Sequence, residues 1–228
     1  KALDLLAGHF GSEGDKALRD QMVTLLSGAT HAYSTALLET LMANKKHASV
    51  RRLAFDGLVK RAVTGDLNPY EKALATGFAD TAEPALELLA KLAKKESRAI
   101  MPMVGALQQH PQQRIRLLAL SLLEGVYDKT SPKASLQALQ SRHADLQRAA
   151  LIRLFQRKLL DDINVKRAIL RAQDHVDAQL RHTAFLVSVL SQKTLAQALK
   201  TREPDLARQL QELEDFELLA EPETQQGK

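Results

Sequence analysis

The dominant feature of this 228-residue sequence is a nine-residue pattern that occurs six times. Its copies begin at residues 18, 50, 82, 115, 146 and 180, so that consecutive copies start 31 to 34 residues apart. A period of this length is typical of solenoid proteins, in which every repeat is one supersecondary unit that packs against its neighbours. The copies are LRDQMVTLL, VRRLAFDGL, AEPALELLA, IRLLALSLL, LQRAALIRL and LRHTAFLVS.

Apolar or small residues at the first, fifth and ninth positions predict that each copy is a buried helix. In the second copy these residues are Val50, Ala54 and Leu58. Residues at i, i+4 and i+8 lie on one side of an α-helix, and a small residue in the middle lets a neighbouring helix approach closely. We therefore predict inner helices near residues 17–27, 49–61, 82–94, 113–126, 145–158 and 178–191.

The segments between these copies also have helical character. NPYEKALATGFA, for example, begins at Asn68 as a helix N-cap, followed by Pro69 at the first helical position. Linkers rich in Gly or Pro separate the segments. The composition agrees, because Leu and Ala dominate while aromatic residues make up only 4%. The predicted unit is a helical hairpin, stacked about six times.

Two copies carry a further motif, an Asp followed three residues later by an apolar residue and an Arg. The motif is present in DKALRD from Asp15 and in DAQLRHTA from Asp177, whereas the third copy departs most, with Glu83 and Pro84 in the Arg region. This pattern resembles the HEAT-repeat family of the armadillo-like superfamily. The resemblance implies an all-α fold: a right-handed α-solenoid of about six HEAT-like hairpins over residues 1–202, with the second helices on its concave side.

The C-terminal segment breaks the repeat and differs in charge. The whole chain has a formal charge of +5, but residues 203–228 carry −6 and residues 1–202 therefore carry +11. Residues 203–220 predict an acidic amphipathic helix that caps the last repeat, and residues 221–228 predict a disordered tail. The apolar side of the predicted helix consists of Leu206, Leu210, Leu213 and Phe216.

The sequence lacks the patterns of common catalytic, metal and cofactor sites. It contains no cysteine, its histidines have no zinc-ligand spacing, and GHFGSEG, from Gly8, fits no phosphate-binding loop. No segment approaches the roughly 18 apolar residues that a membrane crossing requires. We therefore expect a cytoplasmic, non-catalytic protein without cofactors and without membrane insertion, and the start at Lys1 suggests a fragment of a larger protein.

Basic residues on the inner helices fall into two groups. The first group recurs at the second position of the repeat, so we expect it to bond an Asp or a helix-end carbonyl of the adjacent repeat. This structural group consists of Arg19, Arg51, Arg116 and Arg181. The second group forms a candidate binding surface, because on a concave wall its side chains would make a cationic groove. That surface consists of Arg52, Lys60, Arg61, Arg148, Arg153, Arg157, Arg181 and His182.

The leading functional hypothesis is a protein-protein interaction scaffold. It would hold a segment with an acidic surface, from another protein or from the same polypeptide, on the concave face. The alternative is a nucleic-acid-binding protein of the DNA-repair type, which would need aromatic side chains in the groove. We expect Phe55, Phe155 and Phe185 to be core residues instead. A third hypothesis is that the acidic C-terminal segment covers the basic groove.

Overall fold

The structure is a computed structural model that describes residues 14–128, 130–192, 197, 201 and 203–218, with only the backbone for residues 94–96. All regular secondary structure in these residues is helical. Within this part of the chain, no helix combines the length and the apolar character that crossing a membrane requires. The helices are α1 Lys16–Gly28, α2 Ala32–Met42, α3 Ala48–Arg61, α4 Asn68–Ala75, α5 Ala79–Ala106, α6 Gln113–Val126, α7 Lys133–Ala138, α8 Ala144–Gln156, α9 Ile163–Gln173, α10 Ala178–Leu190 and α11 Pro204–Glu214.

Aspartate caps fix the start of three of these helices. The Asp15 carboxylate accepts hydrogen bonds from the backbone N–H groups of Ala17 and Leu18 at the start of α1. Asp162 caps α9 in the same way, and Asp177 accepts from Leu180 N–H at the start of α10. Each cap satisfies backbone donors that have no partner inside the helix, which is why the chain leaves the preceding loop at these residues.

Helix α5 differs from the prediction, because it joins two predicted helices into one of 28 residues. The sequence indicated an inner helix over residues 82–94 and a new helix starting near Ser97. Residues 91–97, KLAKKES, contain neither glycine nor proline and consist mostly of strong helix formers. Nothing in this stretch ends the first helix, so Ser97 lies inside α5 rather than at the start of a separate helix.

The first of two compact units, Lys1–Met103, is organised around α3. Helix α3 packs against α1, α2 and α4. The repeat positions Val50, Ala54 and Leu58 are buried in this packing, as is Phe55. Gly57 also lies on this side of α3 and approaches the side chain of Ser27 in α1, so a side chain larger than hydrogen has no room there.

The second unit, Val104–Lys228, is organised around α8. Helix α8 packs against α6, α7 and α10, and α9 packs against α10. The first, fifth and ninth residues of the repeat supply much of the core of this unit. The buried repeat residues are Ile115, Ala119, Leu123, Leu146, Ala150, Leu154, Leu180 and Ala184.

Some expectations about apolar residues differ from the structure or fall beyond it. Phe185 is 49% exposed on α10, although we expected it in the core, and Phe155 is only partly buried. Leu18, which occupies the first repeat position in α1, is also 45% exposed. The capping helix ends at Glu214, before the predicted residue 220, and residues 221–228 lie outside the described part of the chain.

Candidate functional site

One recurrent arginine of unit 1, Arg51, connects two consecutive second helices. Arg51, in α3, donates from Nε and Nη2 to the two carboxylate oxygens of Asp80 in α5, at 2.8 Å each. Its Nη1 donates to the carbonyl oxygen of Asn44 at 2.7 Å, and its guanidinium lies 4.1 Å from the centre of the Phe78 ring. With both edges engaged, Arg51 is a structural residue of the repeat.

The equivalent arginine of unit 2 makes the same kind of contact. Arg116 Nη2 donates to Asp145 Oδ2 at 2.5 Å, again to an acid 29 residues later. Its Nη1 donates to the carbonyl oxygens of His110 and Pro111 in the preceding loop. Arg181 donates to two loop carbonyls in the same way, those of His175 and Val176.

The fifth copy has a glutamine where four of the other copies have this arginine. Gln147 Nε2 donates to the carbonyl oxygens of Leu139 at 3.2 Å and of Ser141 at 2.6 Å. The second repeat position therefore binds the loop before its own helix in several copies, whether it is Arg or Gln. Arg181 belonged to both predicted groups, and its contacts match those of the structural group.

Arg61 was predicted to be part of the binding surface, but the protein itself engages its guanidinium. The side chain lies at the C-terminal end of α1 and the start of α2, where it donates to backbone carbonyl oxygens and to two hydroxyls. Burial lowers the pKa of this guanidinium from its ordinary value. Its acceptors are the carbonyl oxygens of Leu26, Ser27 and Ala29 and the hydroxyl oxygens of Ser34 and Thr35. Arg61 thus closes the end of a helix.

Arg153 and Arg157 were also predicted to be binding residues, and the structure places both beside a buried carboxylate. Glu124, in α6, is 6% exposed. It accepts from Arg153 Nε at 2.9 Å, lies 3.3 Å from Arg157 Nη1, and accepts from the Ser135 hydroxyl at 2.9 Å. A carboxylate at this depth requires such partners, so both arginines stabilise the junction of α6, α7 and α8.

The remaining candidates are more accessible. Arg52 pairs with Asp56 one turn away at 3.3 Å, and both side chains are largely exposed. Lys60 and Arg148 are exposed, and no ion pair or hydrogen bond joins either one to another described residue. His182 Nε2 lies 3.0 Å from Gln209 Oε1 of α11. Of the predicted surface in unit 2, Arg148 and His182 therefore remain at the site.

Helix α11 lies against α8, and its Gln209 contacts His182 of α10. We call the side of α8 and α10 that α11 contacts the second-helix face of unit 2. Leu210 and Leu213 are 0% and 4% exposed and join the core cluster formed by α8, α9 and α10. Gln156, the last residue of α8, donates from Nε2 to carbonyl oxygens at the end of α11 and just beyond it. These acceptors are Leu213 at 3.3 Å, Glu214 at 3.3 Å and Phe216 at 2.8 Å. The face therefore holds an amphipathic helix by apolar burial and by a glutamine that closes its C-terminal end.

A pocket of about 340 Å³ borders the end of this segment. It lies among the N-terminal parts of α6, α8 and α10, and Phe216 forms one of its sides. Arg148 lines the same pocket together with Asp145 and Asp177. The candidate site is thus a face with an apolar strip, an accessible guanidinium and a segment of the chain's own acidic C-terminus on it.

The sequence predicted helix α11, but it did not predict where this helix lies or that Gln156 binds its C-terminal end. The spacing of its leucines marked the apolar side, whereas Gln156 carries no pattern, because a glutamine at the end of a helix is common. In the described residues, no group of three or more His, Asp and Glu side chains is placed to hold a metal ion.

Comparison of the chain with models of protein families, with curated proteins and with solved structures gives no match. The geometry of the second-helix face therefore supplies the functional argument.

Proposed function

We propose that this chain is a non-catalytic protein-binding module, a HEAT-like array of helical hairpins within a larger protein. In this proposal the second-helix face of unit 2 binds an amphipathic helical segment of a partner or of another part of the same polypeptide. The observation that carries the proposal is α11, which occupies this face through Leu210 and Leu213. Binding a helix by its apolar side in a groove is a common mode of peptide recognition.

The contacts of α11 indicate what such a segment requires. Leu206, Leu210 and Leu213 follow one another at spacings of four and three residues, which places them on one side of a helix. The carbonyl groups at the C-terminal end must reach Gln156 Nε2. A fitting segment therefore has three apolar residues at these spacings and ends within one turn of the last of them.

Charge favours an acidic segment. Arg148 is exposed beside the pocket that Phe216 borders, and no described residue neutralises it through an ion pair. The two acids that line the same pocket have other partners, since Asp145 pairs with Arg116 and Asp177 accepts from the backbone N–H of Leu180. The solvent side of α11 carries Asp205 and Glu212, so the present occupant is itself acidic. The positive charge at Arg148 would attract an acidic partner, mostly by raising the rate at which the partner associates.

The nucleic-acid alternative has less support from these contacts. A phosphate-binding groove needs several cations that are free to contact the backbone. Arg61, Arg153 and Arg157, which the alternative requires, are instead engaged by carbonyl groups or by Glu124. Duplex DNA is therefore a useful competitor in the test of the proposal.

The test uses a fluorescently labelled peptide of residues 203–218, EPDLARQLQELEDFEL, added to the full chain. In the wild type, the tethered α11 has an effective concentration on the order of millimolar and should exclude the peptide. In the L210A/L213A variant the tethered helix binds weakly, so we expect the peptide to bind at least about tenfold more tightly than it binds the wild type.

A matched control peptide carries Leu210→Asp and Leu213→Asp and should not bind. Circular dichroism establishes that the variant chain is folded. Equal affinity of the labelled peptide for wild type and folded variant, or displacement by duplex DNA rather than by unlabelled peptide, would refute the proposal.

A further inference from the structure

A second cleft of unit 2 lies away from α11, between the first helices α7 and α9. It has a volume of about 390 Å³, and no residue of α11 lines it. Its apolar part includes Leu136, Leu139 and Leu180. Its polar part includes two arginines of α9, Arg167 and Arg171. A cleft of this size accommodates a small group or one or two side chains of a peptide.

Arg167 and Arg171 differ from the arginines on the second helices. They are four residues apart, so their side chains are neighbours on the same side of α9. Both are exposed, and neither forms a hydrogen bond or an ion pair with another described residue. No acidic side chain lies among the described residues that line the cleft. Two adjacent guanidinium groups therefore present their donors to solvent without a counter-charge from the lining.

The cleft also contains an acceptor without a partner. Gln147 Nε2 already donates to two carbonyl oxygens, which fixes the orientation of the amide group. The other end of the amide, Oε1, is buried and receives no hydrogen bond from any described residue. Gln147 lines the cleft, so this unsatisfied acceptor belongs to the lining.

His175 adds a donor at the edge of the cleft. Its Nδ1 accepts a hydrogen bond from the backbone N–H of Asp177 at 3.0 Å. A neutral imidazole that accepts at Nδ1 carries its proton on Nε2. The residues of the cleft thus combine two cationic forks, one neutral donor, one buried acceptor and an apolar wall.

We propose that this cleft binds the phosphoryl group of a phosphorylated peptide segment. Arg167 and Arg171 would each donate to phosphoryl oxygens, Gln147 Oε1 would accept from a backbone N–H of the peptide, and the leucines would contact an apolar side chain of the peptide. A single carboxylate occupies one guanidinium fork, whereas a phosphoryl group has the charge and the oxygens for two. This site is separate from the second-helix face and does not depend on the proposed function.

The test measures binding of the full chain to fluorescein-labelled peptide libraries of random sequence around a central phosphoserine, serine or glutamate. We expect the phosphoserine library to bind at least about tenfold more tightly than the serine library, with the glutamate library between them. R167Q and R171Q should each lower phosphopeptide affinity about tenfold. R208Q, an exposed arginine of α11 outside the cleft, is the matched control and should leave the affinity unchanged.

The cleft variants should fold, because neither arginine forms a hydrogen bond or an ion pair with another described residue; an unchanged melting temperature verifies this. They should also leave binding of the residue 203–218 peptide to the L210A/L213A chain unchanged, which separates this test from that of the second-helix face. Equal binding of the phosphoserine and serine libraries would overturn the proposal. Undiminished binding of the phosphoserine library to R167Q and R171Q would also overturn it. So would duplex DNA that binds more tightly than the phosphoserine library and whose binding both variants abolish.

Discussion

Arg51 and Asp80, 29 residues apart, form a two-pronged contact in which each carboxylate oxygen accepts one guanidinium N–H at 2.8 Å. Asp80 lies near the start of α5, where its negative charge is also favoured by the helix dipole. In unit 2, Arg116 and Asp145 are separated by the same 29 residues and also meet. The second helices α3 and α5, and likewise α6 and α8, are therefore joined by a polar contact between an arginine and an aspartate.

The Arg51 contact predicts that Arg51→Lys destabilises the protein by about 2 kcal/mol, because lysine does not reproduce the paired donors or the bond to Asn44. Urea denaturation followed by circular dichroism measures the change. Arg52→Lys, next to it on the exposed side of α3, should change stability by less than about 0.5 kcal/mol. A similar loss in both variants would show that the two-pronged contact has no special role.

The position of Arg61 predicts that Arg61→Met lowers the free energy of unfolding by about 2 to 3 kcal/mol, because carbonyl groups at the end of α1 lose their donor. The adjacent variant Lys60→Met should be neutral within about 0.5 kcal/mol, since Lys60 is exposed. Denaturation curves of the two variants decide between a helix-closing residue and a surface cation. If Arg61→Met is as stable as Lys60→Met, the assigned contacts do not contribute.

The close approach at Gly57 predicts that Gly57→Ala is destabilising by about 1 to 3 kcal/mol. A methyl group there would lie 2.9 Å from Ser27 Cβ and still nearer to the hydroxyl of that serine. Gly28→Ala, in the same unit, meets no atom within 4 Å and should stabilise α1 by up to about 1 kcal/mol. Thermal melts that shift in opposite directions would support this packing, whereas stabilisation by Gly57→Ala would contradict it.

The buried Glu124 predicts a large effect of Glu124→Ala, about 3 to 5 kcal/mol, because Arg153 and Arg157 would keep their charges without the carboxylate. Glu212→Ala, on the exposed side of α11, is the control and should change stability by less than about 0.5 kcal/mol. Equilibrium unfolding in urea measures both. A small effect of Glu124→Ala would show that Glu124 does not hold Arg153 and Arg157, which would then be available to bind a ligand.

The helical pattern was readable from the sequence because it depends on residues close together in the chain. Val50, Ala54 and Leu58 specify one buried side of α3 wherever that helix packs. The long helix α5 was not predicted, because the repeat led us to expect a separate helix near Ser97, and only the absence of a terminating residue indicated one continuous helix. Local patterns thus identify helices better than they identify where helices end.

The partners of individual arginines could not be predicted from the sequence in the same way. Arg61 finds its acceptors 26 to 35 residues earlier, and Arg153 finds Glu124 29 residues earlier. Such partners are fixed by tertiary packing rather than by neighbouring residues. Arg167 and Arg171 had a sequence signal, since they are four residues apart on an amphipathic helix, but only the structure shows that the described residues lining their cleft include no acid.

The most direct measurement of the central claim maps where a helix resembling α11 binds. A peptide of residues 203–218 with a photoreactive benzophenone in place of the Phe216 side chain is irradiated with the L210A/L213A chain, and mass spectrometry locates the adducts. Because Phe216 borders the pocket lined by Gln113, Leu117 and Arg148, we predict adducts at these residues. Adducts confined to α7 and α9, or no adduct beyond that of a peptide with aspartate at positions 210 and 213, would contradict the account.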